Sequence, residues 1–269
     1  MSSGLAKNQG RVFKACKWGM IQGAASVLEK FQLCKEVGFD GMELVNPLNA
    51  EVAEVREAIR QTGMPVHGLV NIKGNRQVRI SSPDAATRDQ GRQLLEESLR
   101  NCHAYGGDTV LVVPGRVDNK DATHDDVWQR SAEQIRLVLP LASKLGVRIL
   151  IENVWNGFCQ KPELMRDYVD QFDSPWVGSY FDIGNAAKFA PSDKWIRILG
   201  PRIVKLDVKD WSQAKGLCDV GTGEIDWPAV RAALAEIGYS GWATAEVKPG
   251  KRERLAQIVR QMDQVLAIK

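Results

Sequence analysis

The chain has 269 residues, of which 44% are hydrophobic, and this is enough to bury a large core. The formal net charge is +3, with acids and bases mixed along the chain, which argues against the concentrated basic face typical of nucleic-acid binding. No apolar run reaches the roughly 18 residues of a membrane span, so neither a nucleic acid nor a membrane is an expected partner.

The chain begins with "MSSGLAKNQGR", residues 1–11, which lacks the apolar stretch of a secretory signal. We expect a disordered or tag-like lead-in here. The five cysteines are scattered and include no C-x-x-C pair, which argues against a disulfide framework or a structural zinc site. A cytoplasmic location is therefore expected.

Short apolar segments alternate with amphipathic ones in the first half of the chain. Ser26 and Glu29 form a capping-box pattern, which predicts a helix that ends near Gly38. The other predicted helices cover residues 52–60, 85–104 and 125–145. Predicted strands cover residues 17–21, 41–45, 65–70 and 109–113.

The second half repeats this rhythm. Predicted strands cover residues 148–153, 177–184, 202–210 and 242–247. Four helices are predicted in this half. One begins near Pro162, one covers residues 194–199, one starts after Asp226 as its N-cap, and the last covers residues 252–266.

Eight strand–helix units in one chain predict an α/β protein, a single-domain (β/α)8 TIM barrel over residues 12–269. The competing architecture is a doubly wound open sheet. Such a sheet usually carries a G-x-G-x-x-G turn after its first strand, and "MIQGAAS" has none.

The seventh predicted strand, "RIVKLDVKD", carries unusually many charges. Side chains alternate in direction along a barrel strand, so Val204, Leu206 and Val208 are expected to face the helices. Lys205, Asp207 and Lys209 then point into the barrel. Charges at the C-terminal mouth of such a barrel line the usual active-site face.

Carboxylates occur at the ends of all four late strands. They are Glu152, Asp182, Asp207 and Glu246. Four neighbouring anions repel one another, and one divalent cation with oxygen ligands, Mn²⁺ or Mg²⁺ in preference, resolves this. The alternative is that each acid caps a helix or pairs with a lysine. Glu43, on the second strand, stands apart from this cluster.

Several motifs resemble the xylose isomerase-like TIM-barrel superfamily, which contains sugar phosphate isomerases and epimerases and includes the ketose 3-epimerases and hydroxypyruvate isomerases. The motifs are "GFDGMEL", "ILIEN", "YFDIGN", "VKLDVKD", "GTGEIDWPAV" and "GYSGWATAEV". The resemblance implies one divalent metal bound by Glu152, Asp182, Asp207 and Glu246. Asp207 stands where the family has a histidine. An all-carboxylate set favours Mn²⁺ or Mg²⁺, with Co²⁺ and Zn²⁺ as alternatives.

The same resemblance implies a divalent-metal-dependent sugar or sugar-phosphate isomerase or epimerase. Glu152 and Glu246 would be the catalytic pair that removes and returns a proton next to a carbonyl, through a metal-stabilised enediolate. Phe158 and Asn185 replace a glutamate and a histidine of the epimerases. These departures leave open a keto-sugar lyase or dehydratase that uses the same chemistry. A small carbohydrate is the expected partner, and the choice between homodimer and homotetramer stays open.

The expected substrate contacts surround this cluster. Lys209 either binds a substrate oxygen or forms a salt bridge with a neighbouring acid, and His67 is either a substrate contact or an ordinary barrel-interior histidine. Trp rings near strand ends can stack on a sugar. The full set of candidates is Glu43, His67, Asn185, Lys209, Trp18 and Trp155.

Two further classes of protein are weaker alternatives. An endonuclease IV-like DNA repair enzyme needs several histidines for its zinc ions, and this chain has three in total. A non-catalytic sugar-binding barrel would use the carboxylates only as caps and salt-bridge partners.

Overall fold

The predicted barrel is present. A computed structural model describes residues 10–118 and 122–267, and within them eight parallel strands close into a barrel that helices surround. The single-domain (β/α)8 fold is thereby confirmed. Residues 1–9 of the predicted lead-in lie outside the described residues. In the described part of the chain, no helix is long and apolar enough to cross a membrane.

The barrel strands pair in chain order, with the last strand closing on the first. They are β1 (Val12–Lys17), β2 (Gly41–Asn46), β3 (Val66–Asn71), β4 (Thr109–Val112), β5 (Arg148–Glu152), β6 (Val177–Asp182), β7 (Ile203–Val208) and β10 (Gly241–Ala245). A short antiparallel hairpin follows β7 and consists of β8 (Asp210–Ser212) and β9 (Gly216–Cys218).

The helices follow the strands in the chain, and most of them cover the outside of the barrel. They are α1 (Val27–Val37), α2 (Val52–Thr62), α3 (Ile72–Arg76), α4 (Ala85–Tyr105), α5 (His124–Leu145), α6 (Pro162–Asp170), α7 (Ile183–Ala187), α8 (Ser192–Leu199), α9 (Trp227–Glu236) and α10 (Arg252–Leu266). The capping box of Ser26 and Glu29 forms as predicted, and the Asp226 side chain accepts from the N–H of Ala229 to start α9.

The first strand lies earlier than predicted. Its residues 12–16 pair with β10, and residues 15–17 pair with β2, whereas Trp18–Met20 form a 3₁₀ turn. The apolar run that suggested a strand instead packs Met20 and Ile21 into the core beyond the strand end. Lys17 is therefore the last residue of β1 rather than the first, and it lies at the C-terminal mouth.

The parity prediction for β7 holds for most of the strand but is wrong at Val204. Leu206 and Val208 belong to the main core between barrel and helices. Between β6 and β7, however, the pairing shifts from Ser179–Ile203 to Tyr180–Lys205, so Val204 is an extra residue. This β-bulge turns Val204 into the barrel, where it packs against a small interior cluster.

A second bulge explains the position of His67. Met42 pairs with Val66 and Glu43 pairs with Gly68, which leaves His67 as the extra residue of β3. Both His67 and the next residue consequently face the interior. The His67 ring stacks on Trp242, with ring centroids 4.8 Å apart.

Polar residues fill the lower half of the barrel interior. Lys205 Nζ lies 2.6 Å from Asp108 Oδ1, 2.7 Å from Thr109 Oγ1 and 3.0 Å from His67 Nδ1. Thr244 Oγ1 lies 3.2 Å from His67 Nε2. Because each buried polar group in this layer has partners, the layer forms a closed floor beneath the mouth of the barrel.

Candidate active site

The four carboxylates predicted from the late strands meet at the barrel mouth. Glu152 and Asp182 end β5 and β6, Asp207 is the penultimate residue of β7, and Glu246 directly follows β10. Each offers one oxygen atom, and these four atoms lie within 4.8 Å of one another. Asp182 and Asp207 are paired residues in the β6–β7 register and point the same way because parallel partners share a face.

Lys17 is a member of this site that the sequence prediction missed. Its ammonium nitrogen lies 2.8 Å from Asp207 Oδ2, 3.0 Å from Glu246 Oε1 and 3.4 Å from Glu43 Oε2. The strand prediction had placed Lys17 at the wrong end of β1. With the correct bounds, the alternation that identifies Asp207 would also have turned Lys17 inward.

Lys209 provides the second positive charge. Its ammonium group lies 2.6 Å from Asp182 Oδ2 and also contacts Glu246. The salt-bridge interpretation of this residue is thus the arrangement that the structure shows. The four carboxyl groups outnumber the two ammonium groups, so the lysines alone cannot neutralise the cluster when every acid is ionised.

The cluster shifts the acidity of its members in opposite directions. Burial, followed by the charge of Glu246, raises the pKa of Glu152 to about 8. Burial also raises the pKa of Asp182 to about 6, although Lys209 partly opposes this. For Asp207, burial raises the pKa well above its usual range.

Glu246 behaves differently from the other three. Burial alone would raise its pKa, but Lys17 and Lys209 together outweigh burial and hold the pKa of Glu246 below its ordinary value. Conversely, burial would lower the pKa of both lysines, and the surrounding carboxylates raise it instead. Glu246 is therefore an anion and both lysines are cations at neutral pH.

Asn185 and Asn153 hold Asp182 in place. The backbone N–H of Asn185 donates to Asp182 Oδ1 at 2.8 Å, and its side-chain amide donates to Oδ2 at 2.7 Å. The Asn153 side chain accepts from the N–H of Asp182 and donates to its carbonyl. The backbone and the carboxylate of Asp182 are therefore both held in one orientation by these hydrogen bonds.

A cavity of about 650 Å³ opens above the cluster, a size typical of small-molecule sites. Glu152, Glu246, Lys209, Asn185 and Trp155 all line it. The indole N–H of Trp155 donates to the carbonyl of Asn185 at 2.9 Å, which fixes the ring at the cavity wall.

Three other candidates for substrate contact do not line this cavity. Glu43 is 1% exposed and contacts Lys17, while His67 belongs to the polar floor. Lys30 Nζ covers the ring of Trp18 at 4.2 Å from the ring centroid. The 3₁₀ turn after β1 places Trp18 there, and the bulge in β3 places His67 low in the barrel.

Phe158 lies in an apolar environment rather than beside the carboxylates. Its ring packs against His124 and Tyr168, each with ring centroids 4.9 Å from its own. This position therefore supplies no acidic group to the cavity, in contrast to the second glutamate that the resemblance to epimerases implies.

The donor set fits a hard divalent cation. Asp207 Oδ1 is buried without a hydrogen-bond partner. Glu152 forms no ion pair with any residue that the structure describes, although charges of both signs, from Glu246, Asp182 and the two lysines, lie near it. Buried carboxylate oxygens that lack a partner are the groups that Mn²⁺ or Mg²⁺ would satisfy.

The fold and the carboxylate site define a family. The chain belongs to the xylose isomerase-like TIM barrel family, whose sequence profile matches residues 31–265.

Particular relatives in this family are sugar epimerases. The chain is 23% identical over 255 residues to the putative L-ribulose-5-phosphate 3-epimerase SgbU of Escherichia coli K12. The matched segment covers 86% of this chain and 87% of the relative. Among solved structures, it is similar to the 3-keto-D-glucoside 4-epimerase YcjR of E. coli, with a TM-score of 0.80 and 19% identity. The match covers 94% of this chain and 100% of the YcjR chain. It is also similar to the structure of a D-psicose 3-epimerase in the presence of D-fructose, with a TM-score of 0.78 and 18% identity. This match covers 94% of this chain and 99% of the other.

Proposed function

We propose that this protein is a divalent-metal-dependent epimerase or isomerase of a sugar or sugar phosphate. One observation carries the proposal: carboxylates from four consecutive barrel strands converge at the mouth, with one oxygen of each within 4.8 Å of the others. The sugar epimerases among the relatives support the same reaction class.

Glu152 and Glu246 are suited to act as the pair that exchanges protons with substrate. They come from the two outer strands of the four-strand arc, so a substrate carbon between them has one carboxylate on each side. Without a metal, Lys17 and Lys209 hold the pKa of Glu246 low, whereas burial raises the pKa of Glu152. A bound cation would favour the carboxylate form of both, because carboxylates ligate a metal when deprotonated. In epimerisation one of the two would accept a proton on one face of the carbon, and the other, protonated at that stage, would donate one on the opposite face.

The remaining groups position the substrate. Asp182 and Asp207 would complete the ligand set of the cation, which when bound supplies Lewis-acid stabilisation of the developing negative charge on the substrate oxygens. Trp155 offers a flat apolar face at the cavity wall, and Lys209 and Asn185 line the same wall with polar groups.

Hydrogen exchange with solvent tests this proposal directly. Wild-type protein loaded with Mn²⁺ would be incubated in D₂O with a panel of ketoses and ketose phosphates, and deuterium incorporation and product identity would be measured by NMR. We expect incorporation at the carbon next to the carbonyl, loss of activity after chelation, and recovery on readdition of Mn²⁺. A dehydrated product would instead identify the lyase or dehydratase alternative.

Matched glutamate variants complete the test. Glu152→Gln and Glu246→Gln should each lower the exchange rate at least 100-fold, as expected for loss of a general acid or base. Glu133→Gln, an exposed acid on α5, should keep the wild-type rate. Unchanged exchange in both site variants, or a wild type that binds no divalent ion, would refute the proposal.

A further inference from the structure

The cavity wall opposite the carboxylates is basic. Arg76 ends α3, Arg79 lies in the loop that follows, and Arg116 lies in the segment after β4. All three line the cavity that Glu152 and Glu246 also line. The barrel order separates the two groups, because the arginines follow β3 and β4 whereas the acids come from β5, β6, β7 and β10.

None of these three guanidinium groups has a carboxylate partner among the residues that the structure describes. Some described arginines pair with acids, as Arg202 does with Asp170, and others, such as Arg56, do not. The shared cavity, more than the missing partner, therefore sets these three apart. Three like charges on one concave wall repel one another, and desolvation by a bound ligand increases that repulsion. An anion between them relieves it.

Asn75 adds a neutral donor to the same wall. Its side-chain oxygen accepts from the N–H of Val113 at 3.0 Å, which fixes the orientation of the amide and keeps its NH₂ group as a donor. Asn75 lines the cavity beside Arg76. The wall therefore presents N–H donors from all four of these side chains, which suits an oxyanion.

We propose that Arg76, Arg79 and Arg116 form a subsite for a phosphate group of the substrate. Guanidinium groups bind phosphate oxygens through paired N–H donors, and a phosphate monoester carries about −1.5 to −2 charges at neutral pH. Three positive charges are better matched by this group than by the single charge of a carboxylate. The inference rests on the proposed function and narrows it to ketose phosphates, whose reacting carbons lie at the carboxylates and whose phosphate lies at the arginines.

Binding of two polyols without a carbonyl group tests the subsite separately from turnover. Ribitol 5-phosphate and ribitol would be titrated calorimetrically into the full chain loaded with Mg²⁺. We expect ribitol 5-phosphate to bind at least tenfold more tightly, about 1.4 kcal/mol. This preference should decrease as the ionic strength rises, since salt screens exposed charges.

Arginine variants assign the preference to the wall. The double variant Arg76→Met/Arg79→Met, and separately Arg116→Met, should each lower the preference for the phosphorylated polyol at least threefold. Arg56→Met removes an exposed arginine of α2 that lies outside the cavity, and it should leave the preference unchanged. Urea unfolding of each variant would show that the fold is retained.

Three results would overturn the subsite. They are equal binding of the two polyols, a preference that survives in the arginine variants, and an arginine-dependent preference for ribonate in place of ribitol 5-phosphate, which would indicate a carboxylate site. If arginine-dependent binding is found but no ketose exchanges hydrogen with solvent, the subsite stands and the epimerase proposal fails.

Discussion

Replacement of Lys17 by methionine removes the ammonium group that links three acids. Asp207 and Glu43 have fully buried carboxylates, and the Lys17 side chain is only 13% exposed. Removal of one partner from a buried ion pair destabilises a protein by about 3–5 kcal/mol, because the remaining charge stays buried. Protonation of Asp207, whose pKa is already raised, relieves part of this. We therefore expect a loss near the lower limit, about 3 kcal/mol, in the free energy of unfolding of the metal-free protein.

Urea unfolding in chelator and in excess Mn²⁺ measures this effect. Lys14→Met is the matched control on the same strand. Among the residues that the structure describes, Lys14 forms an ion pair with the partly exposed Asp263 alone, and this pair should contribute at most about 1 kcal/mol. In Mn²⁺ the loss in Lys17→Met should shrink, since the cation supplies positive charge to the same carboxylates. Mn²⁺ affinity should also rise about tenfold.

Two outcomes would show that Lys17 does not compensate the charge of these acids. One is a chelator-treated Lys17→Met protein that is as stable as Lys14→Met. The other is an equal loss with and without Mn²⁺ combined with weaker Mn²⁺ binding, which would mean that Lys17 orients the ligands rather than compensating their charge.

Two predictions concern the barrel interior. Burial holds the pKa of His67 well below its usual range, so its contribution to stability is complete above about pH 6.5 and decreases below it by up to about 1.4 kcal/mol per pH unit. Urea unfolding between pH 7 and 5 should show a shallower decrease for His67→Gln than for wild type or His103→Gln, and equal slopes would contradict this. Gly68→Ala would place Cβ 2.5 Å from Thr109 Oγ1 and should lower the free energy of unfolding by about 2–3 kcal/mol, whereas Gly19→Ala, with no atom within 4 Å, should be neutral.

The four carboxylates could be placed from sequence because a strand has a strict period of two. Once the apolar residues of a late strand are assigned to the helix side, the acid at its end can only face the mouth, and the structure brings Glu152, Asp182, Asp207 and Glu246 together. That they bind a metal stays a proposal.

The alternation rule fails where a bulge adds a residue to a strand or where the end of the strand is predicted wrongly. His67 and Val204 are bulge residues, and nothing in their local sequence marks the extra position. Lys17 was missed because the apolar residues after it resembled a strand more than "VFKACK" does. Arg76 and Arg116 reach the cavity from segments outside the barrel strands, where no period relates sequence to direction.

The bulges also affect how the chain tolerates a change of length. In β7 the extra residue lies before Lys205, so deletion of Val204 would restore regular pairing with β6 and leave Asp207 still facing inward. A deletion after Lys205 would instead rotate Asp207 toward the helices. Homologous chains can therefore gain or lose one residue low in this strand without disturbing the mouth. An alignment that allows no gap at Val204 would assign Ile203, the one residue before it in β7, to the wrong face.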